Sequence, residues 1–144
     1  MLIRKLNVED VTQLAGLYAE LDDRPTNVEK MAARLARLND DPDYLFLGTA
    51  DENGKLLGSV MGIICEDLTG DCQPFMVVEN VIVAAEAHGQ GIGMKLMNRL
   101  EEFARERDCH VMMLMSNVKR EGAHRFYERL GFSREVGYGF LKSL

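Results

Sequence analysis

Three glycines alternate in His88-Gly89-Gln90-Gly91-Ile92-Gly93, between a β-rich run from Phe75 to Val83 and an amphipathic helical pattern from Met94 to Arg107. A strand-to-helix joint of this composition can crowd several bare backbone N–H groups around one anion, at the positive end of a helix dipole. Glycine also lets the backbone approach a ligand with no Cβ in the way. A chain with this joint must bring a strand end, a tight loop and a helix N-terminus together. The run reads as a pyrophosphate cradle.

Two familiar cradles do not fit. A Walker loop needs GxxxxGK followed by Ser or Thr, and a dinucleotide fingerprint needs GxGxxG. Counted from Gly89, both put their later glycine where Met94 stands; counted from Gly91, the dinucleotide frame meets Leu96. Both cradles usually open a βαβ series, whereas only about fifty residues follow this one.

A third pattern fits. Val81-Ile82-Val83 followed by His88-Gly89-Gln90-Gly91-Ile92-Gly93 resembles the coenzyme A motif of the GNAT superfamily, the acetyl-CoA-dependent N-acetyltransferases. That motif is Arg/Gln-x-x-Gly-x-Gly/Ala, five residues after a strand valine, and Val83 to His88 is five. His88 stands where Arg or Gln is usual. The backbone donors are untouched by that change, and a hydrogen bond from His88 would be stronger with the ring protonated. A later block, Asn117 and then Ala123-His124-Arg125-Phe126-Tyr127-Glu128-Arg129-Leu130-Gly131-Phe132, resembles the superfamily's second motif. Two blocks in order and at the right separation are far more specific than one glycine loop.

At 144 residues the chain fits one domain spanning 1–144, with 47% apolar and 28% charged residues typical of a globular protein. A net charge of −6 argues against nucleic acid as a partner. Cys65, Cys72 and Cys109 form neither a disulfide framework nor a metal signature, so no metal is expected. No apolar run is long enough to span a membrane and the first residues lack a signal-peptide pattern, so a cytoplasmic protein with no membrane partner is expected.

The periodicities give a first strand over Leu2–Leu6. Asn7 caps a helix from Val8 to about Leu21, and Thr26 with Glu29 makes a capping box for a second helix. Tyr44–Ala50 and Lys55–Cys65 form a hairpin around Asn53-Gly54. Phe75–Val83 is a strand, Met94–Arg107 a helix, and Val111–Met115 a continuous apolar strand suited to a covered central position. Asn117 caps a helix over Val118–Leu130, and Ser133–Leu141 supplies a last strand bent near Gly137 and Gly139. The expected fold is α/β (α+β), order β-α-α-β-β-β-α-β-α-β, with a mixed sheet and helices on both faces, as in the superfamily.

The resemblance implies acetyl-CoA as donor and an acetyl transfer to a primary amine by direct attack in a ternary complex. The cofactor-binding set is then Val81, Ile82, Val83, His88, Gly89, Gln90, Gly91, Ile92, Gly93, Met94, Asn117 and Phe126. In the superfamily the strand before the cradle splays from its parallel neighbour and pairs with the pantetheine arm. There the Val81 N–H would polarise the acetyl carbonyl. Tyr127 matches the tyrosine that protonates the leaving thiolate. Glu79, two residues before Val81 and on its face by strand alternation, is the candidate base, with a water relay as the alternative. Asp22, Asp23, Glu66, Asp67 and Asp71 fall in segments that the resemblance assigns to the acceptor pocket; they suit a small cationic amine, and a solvated acidic surface explains them equally well. Acetylation of protein N-termini or lysines, and a non-catalytic acyl-CoA-binding domain, are the two other readings. Many superfamily members are homodimers with C-terminal strands contributing, so the resemblance also implies a homodimer. Met112, Met113 and Met115 are expected mainly as core, with the wall of an adaptable acceptor pocket as the alternative.

Overall fold

The first strand, β1 (Ile3–Lys5), ends at Asn7, whose side chain accepts the Glu9 N–H at 2.8 Å. Asp10 answers by accepting the Asn7 N–H at 2.9 Å, which closes a capping box. The box tightens Val8–Asp10 into a single 3-10 turn, after which α1 runs Val11–Leu21. Asp10 is buried and takes both arms of the Arg4 guanidinium at 2.7 and 2.8 Å. That pairing holds its carboxyl below the usual aspartate value. α2 covers Val28–Leu38, and its cap is Asn27, which accepts the Lys30 N–H, rather than Thr26. The computed structural model describes all 144 residues.

β2 (Tyr44–Ala50) and β3 (Leu56–Cys65) form the expected hairpin, with Gly54 at φ 82° and Asp51 Oδ1 accepting from the Asn53 and Lys55 N–H groups. β4 is Phe75–Val83, α3 Ile92–Glu106, β5 Met112–Met113 and α4 Glu121–Arg129. The five strands lie in sequence order, antiparallel from β1 to β4 and parallel between β4 and β5.

Helices cover both faces. A Cβ at Gly58 would come within 3.0 Å of Ile92, and one at Gly62 within 2.9 Å of Leu100, so α3 lies hard against the even-numbered face of β3. Ser59, on the opposite face, meets Tyr18 of α1. Val60, Met76, Leu96 and Leu100 have no exposed surface. Burying a side chain of this size contributes about 1.5–3 kcal/mol, so this layer fixes where α3 begins. No helix is long and apolar enough to cross a membrane.

Three expectations fail toward the C-terminus. The strand expected over Val111–Met115 shrinks to two residues at the sheet's edge, and Val111, Met113 and Met115 are 44%, 46% and 60% exposed. The last strand over Ser133–Leu141 does not form; the segment has no regular structure, and Tyr138 and Phe140 are more than 90% exposed. The two findings share a cause: without a neighbouring strand, β5 has no ladder on its far side to lengthen it. The third concerns Asn117. It accepts the Lys119 N–H in a local turn, and α4 starts four residues later at Glu121. The extra turn leaves Asn117 outside the helix.

Candidate active site

The backbone N–H groups of Gly89, Gln90, Gly91, Ile92, Gly93 and Met94 donate no hydrogen bond within the protein; the first bonded amide after them is Lys95, to the Gly91 carbonyl. Unmatched helix-start amides are ordinary, but a run that continues back through the preceding loop is a concave donor array. Gly89 and Gly91 make it, at φ 79° and 75°, a region where a β-carbon costs roughly 1–2 kcal/mol. A Cβ on either would meet no atom within 4 Å, so the space in front of the loop is open. Gly93 works differently: its Cβ would come 3.0 Å from Phe126 Cζ, so the missing side chain lets α4 dock against the cradle. These features fit a pyrophosphate group.

His88 turns away from that array. Its Nε2 lies 2.8 Å from the Val83 carbonyl, and a bond to a carbonyl requires the ring N–H to donate. The side chain thus pins the cradle loop to the end of β4 instead of reaching an anion. Lys55 and Glu86 pair beside the same loop, and Glu20 of α1 accepts the Ala85 N–H at 3.2 Å.

β4 pairs with β5 only at Met76–Met112 and Val77–Met113, so from Val78 to Val83 that side of β4 has no strand partner. Ser116 sits just beyond β5 with a buried Oγ that has no partner. Val81, Ile82 and Val83 therefore lie along a strand edge open toward β5, directly before the cradle.

One geometric premise is overturned. Ser59 pairs with Ile82 and Met61 with Glu79, so one β3 residue opposes both Asn80 and Val81. This is a β-bulge, and Asn80 occupies it at φ 52°. Ser59 and Met61 share a face, so Glu79 shares it with Ile82, and Val81 points to the other. Simple alternation put Glu79 beside Val81; the extra residue inverts that parity. Glu79 is exposed and makes no hydrogen bond to Tyr127.

Tyr127 is 7% exposed, held between Phe126 at 5.3 Å and Phe132 at 6.0 Å between ring centroids. Burial pushes its phenol above the usual tyrosine value, partly opposed by Arg120. It lines a groove of about 990 Å³ whose walls include Met113, Leu114, Met115 and Ser116. The methionines expected as core are thus largely groove wall. Asn117 is tied to α4 through its carbonyl, which accepts from His124 Nε2 at 2.8 Å.

A smaller cavity, about 260 Å³, opens on the α1 face between Tyr18, Asn80 and the Asp22–Thr26 segment. Of the five acidic residues expected around an acceptor pocket, only Asp22 lines it, and Asp22 is paired with Arg24. Asp67 spends its carboxylate on the Leu68 and Thr69 amides of its own loop. Sequence reasoning missed Tyr18, Arg24 and Asn80. A signal existed for Asn80: it is a poor strand former inside a run of valines and, after glycine, among the residue types that best tolerate left-handed backbone. None marked Arg24.

The comparisons with known proteins agree with this architecture. Residues 10–132 match the model of the Acetyltransferase (GNAT) family. The chain belongs to the GNAT acetyltransferases. Glucosamine 6-phosphate N-acetyltransferase 1 of Oryza sativa subsp. japonica is 30% identical over 90% of this GNAT chain and 79% of its own length. An uncharacterized N-acetyltransferase of Methanocaldococcus jannaschii is 31% identical over 69% of the chain, which spans 48% of that protein. The glucosamine-6-phosphate N-acetyltransferase structure from Arabidopsis thaliana superposes with a TM-score of 0.87 at 21% identity, covering 99% of this chain and 97% of that one. It shares the GNAT fold of mixed sheet and flanking helices.

Proposed function

We propose that the chain acts, as one domain, as an acetyl-CoA-dependent N-acetyltransferase on the primary amine of a small molecule, by direct attack in a ternary complex. The observation that carries this reading is the unbroken run of free N–H groups from Gly89 to Met94. Bound acetyl-CoA would supply a thioester carbonyl, open to attack by an amine. The cradle would hold the pyrophosphate, and the open edge of β4 from Val81 to Val83 would pair with the pantetheine arm. The Val81 N–H would orient and polarise the acetyl oxygen. Asn117 and Phe126 would flank the arm from the α4 side. Tyr127, kept protonated by burial, would hand its proton to the departing sulfur. Glu79 would accept the amine's proton through water, because its face is opposite that of Val81.

A small-molecule acceptor is favoured over a protein by the modest size of the cavity at Tyr18 and Asn80, about 260 Å³. The rice relative's name, which specifies an amino sugar phosphate, supports the same class. The kinetic test is thiol release from acetyl-CoA with a panel of small amines and of N-terminal peptides. Turnover with peptides alone would contradict the small-molecule reading, and binding without any turnover would favour a sensing domain.

Homodimerisation belongs to the same reading. Val136, Tyr138 and Phe140 fall at strand spacing and are 88%, 92% and 93% exposed beside the open edge of β5. A second copy is the partner that would cover them. Light scattering on the eluted protein should give twice the chain mass, and a monomer at working concentration would exclude it.

A further inference from the structure

We propose that the cavity at Tyr18, Arg24, Thr26 and Asn80 selects acceptors that carry one anionic group besides the amine, with Arg24 as the residue that recognises the anion. The inference rests on the transferase reading and adds the chemical class of its acceptor.

The argument starts from which hydrogen-bonding groups are already used. Asp22 is the one carboxylate lining the cavity, and both its oxygens are engaged by Arg24: Oδ1 accepts from the Arg24 N–H and Nε, and Oδ2 from Nε and Nη2. Arg24 keeps Nη1 unspent, and its side chain is 87% exposed at the cavity mouth. Thr26 contributes a hydroxyl freed by the shift of the α2 cap to Asn27. On the floor, the Tyr18 hydroxyl lies between Ser59 and the Asn80 amide, which also reaches the Met61 sulfur at 3.8 Å, so the unspent donors are those of Arg24 and Thr26 at the rim. The cavity therefore presents unused donors and no unused carboxylate. A lining of this kind favours an acceptor-rich oxyanion over a second ammonium. Arginine's planar fork suits phosphate, phosphonate and carboxylate alike.

The floor is also preorganised. Asn80 is a non-glycine residue in left-handed backbone inside a strand, a conformation that persists only where its surroundings impose it. The bulge it makes turns its amide to the α1 face, the face of Glu79. An acceptor anchored by its anion at the Arg24 rim would extend its amine toward that part of β4.

The test compares kcat/KM for aminoethylphosphonate and for β-alanine with that for n-propylamine, a matched amine with no anion. Wild-type protein should prefer at least one anionic acceptor by about tenfold or more, the size of one exposed charge-assisted contact. In Arg24→Gln the ratio should fall toward parity, and Arg24→Lys should restore part of it as a point charge. Arg24 is exposed, so the variants should fold and keep the wild-type dissociation constant for acetyl-CoA. Parity in the wild type, or a ratio that Arg24→Gln does not move, would overturn the proposal while leaving the transferase reading intact. Wild-type protein that does not bind acetyl-CoA would overturn both.

Discussion

Gly91 sits in the middle of the proposed pyrophosphate cradle. Its φ of 75° and the open space before it mean that a substitution is opposed by backbone strain, not by a clash. Gly91→Val should therefore cost roughly 1–2 kcal/mol of stability while abolishing acetyl-CoA binding by closing the cradle. Circular dichroism and calorimetric titration read the two effects separately, and a variant that still binds would remove the loop from the site. Tyr127→Phe keeps the ring between Phe126 and Phe132 and removes only the proton donor. It should lower kcat by about a hundredfold with little change in cofactor affinity, and an unchanged kcat would exclude Tyr127 as the acid. The raised phenol pKa keeps the hydroxyl protonated through neutral pH, so the alkaline limb of kcat should lie above the ordinary tyrosine value of about 10 and vanish in the variant. The roles proposed for Gly91 and Tyr127 could be read in the sequence because the motifs that suggest them are contiguous. The turn of His88 onto the Val83 carbonyl was not, because it depends on where a neighbouring strand ends.

Strand alternation is a dependable rule until an extra residue enters the ladder, and β4 holds one. The bulge at Asn80 is why Glu79 and Val81 face opposite ways although two residues separate them. Asn80→Val would place a β-branched side chain at φ 52°. It should lower Tm by several degrees and raise the acceptor KM more than the acetyl-CoA KM. Equal effects on both would mean that the bulge supports the sheet only. At the other end of the sheet, β1 is fastened to the turn before α1 by Arg4 and Asp10. Asp10 has a depressed folded pKa, so its stabilisation is present above the ordinary aspartate value, about 3.9, and is lost as pH falls through the lower folded one. Asp10→Asn should flatten the acid side of the stability profile, and an unchanged acid limb would show that the pair contributes nothing. Helix and strand order up to α4 followed from periodicity. The lengths of β5 and of the last segment did not, because an edge strand is set by its neighbours more than by its own apolar run.

The whole molecule places a donor-rich loop on one side of β4 and a small polar cavity on the other. The strand between them offers its backbone to the first and its bulge to the second. The proposed cofactor side could be read from the two sequence motifs, since both lie in contiguous blocks. The proposed acceptor side was hidden because Tyr18, Arg24 and Asn80 meet only through tertiary contact across α1, the following loop and β4. Of the acidic residues that suggested a cationic acceptor, Asp22 is taken up in an ion pair and Asp67 in its own loop. Each half depends on the other only through the transfer step, so binding of the donor can be measured alone. Calorimetric titration of the wild-type protein with acetyl-CoA, with NAD and ATP as controls, is the most direct test. Saturable micromolar binding of acetyl-CoA with no heat from the controls is the predicted result. No binding of acetyl-CoA, or equal binding of all three, would contradict the assignment of the Gly89–Met94 cradle.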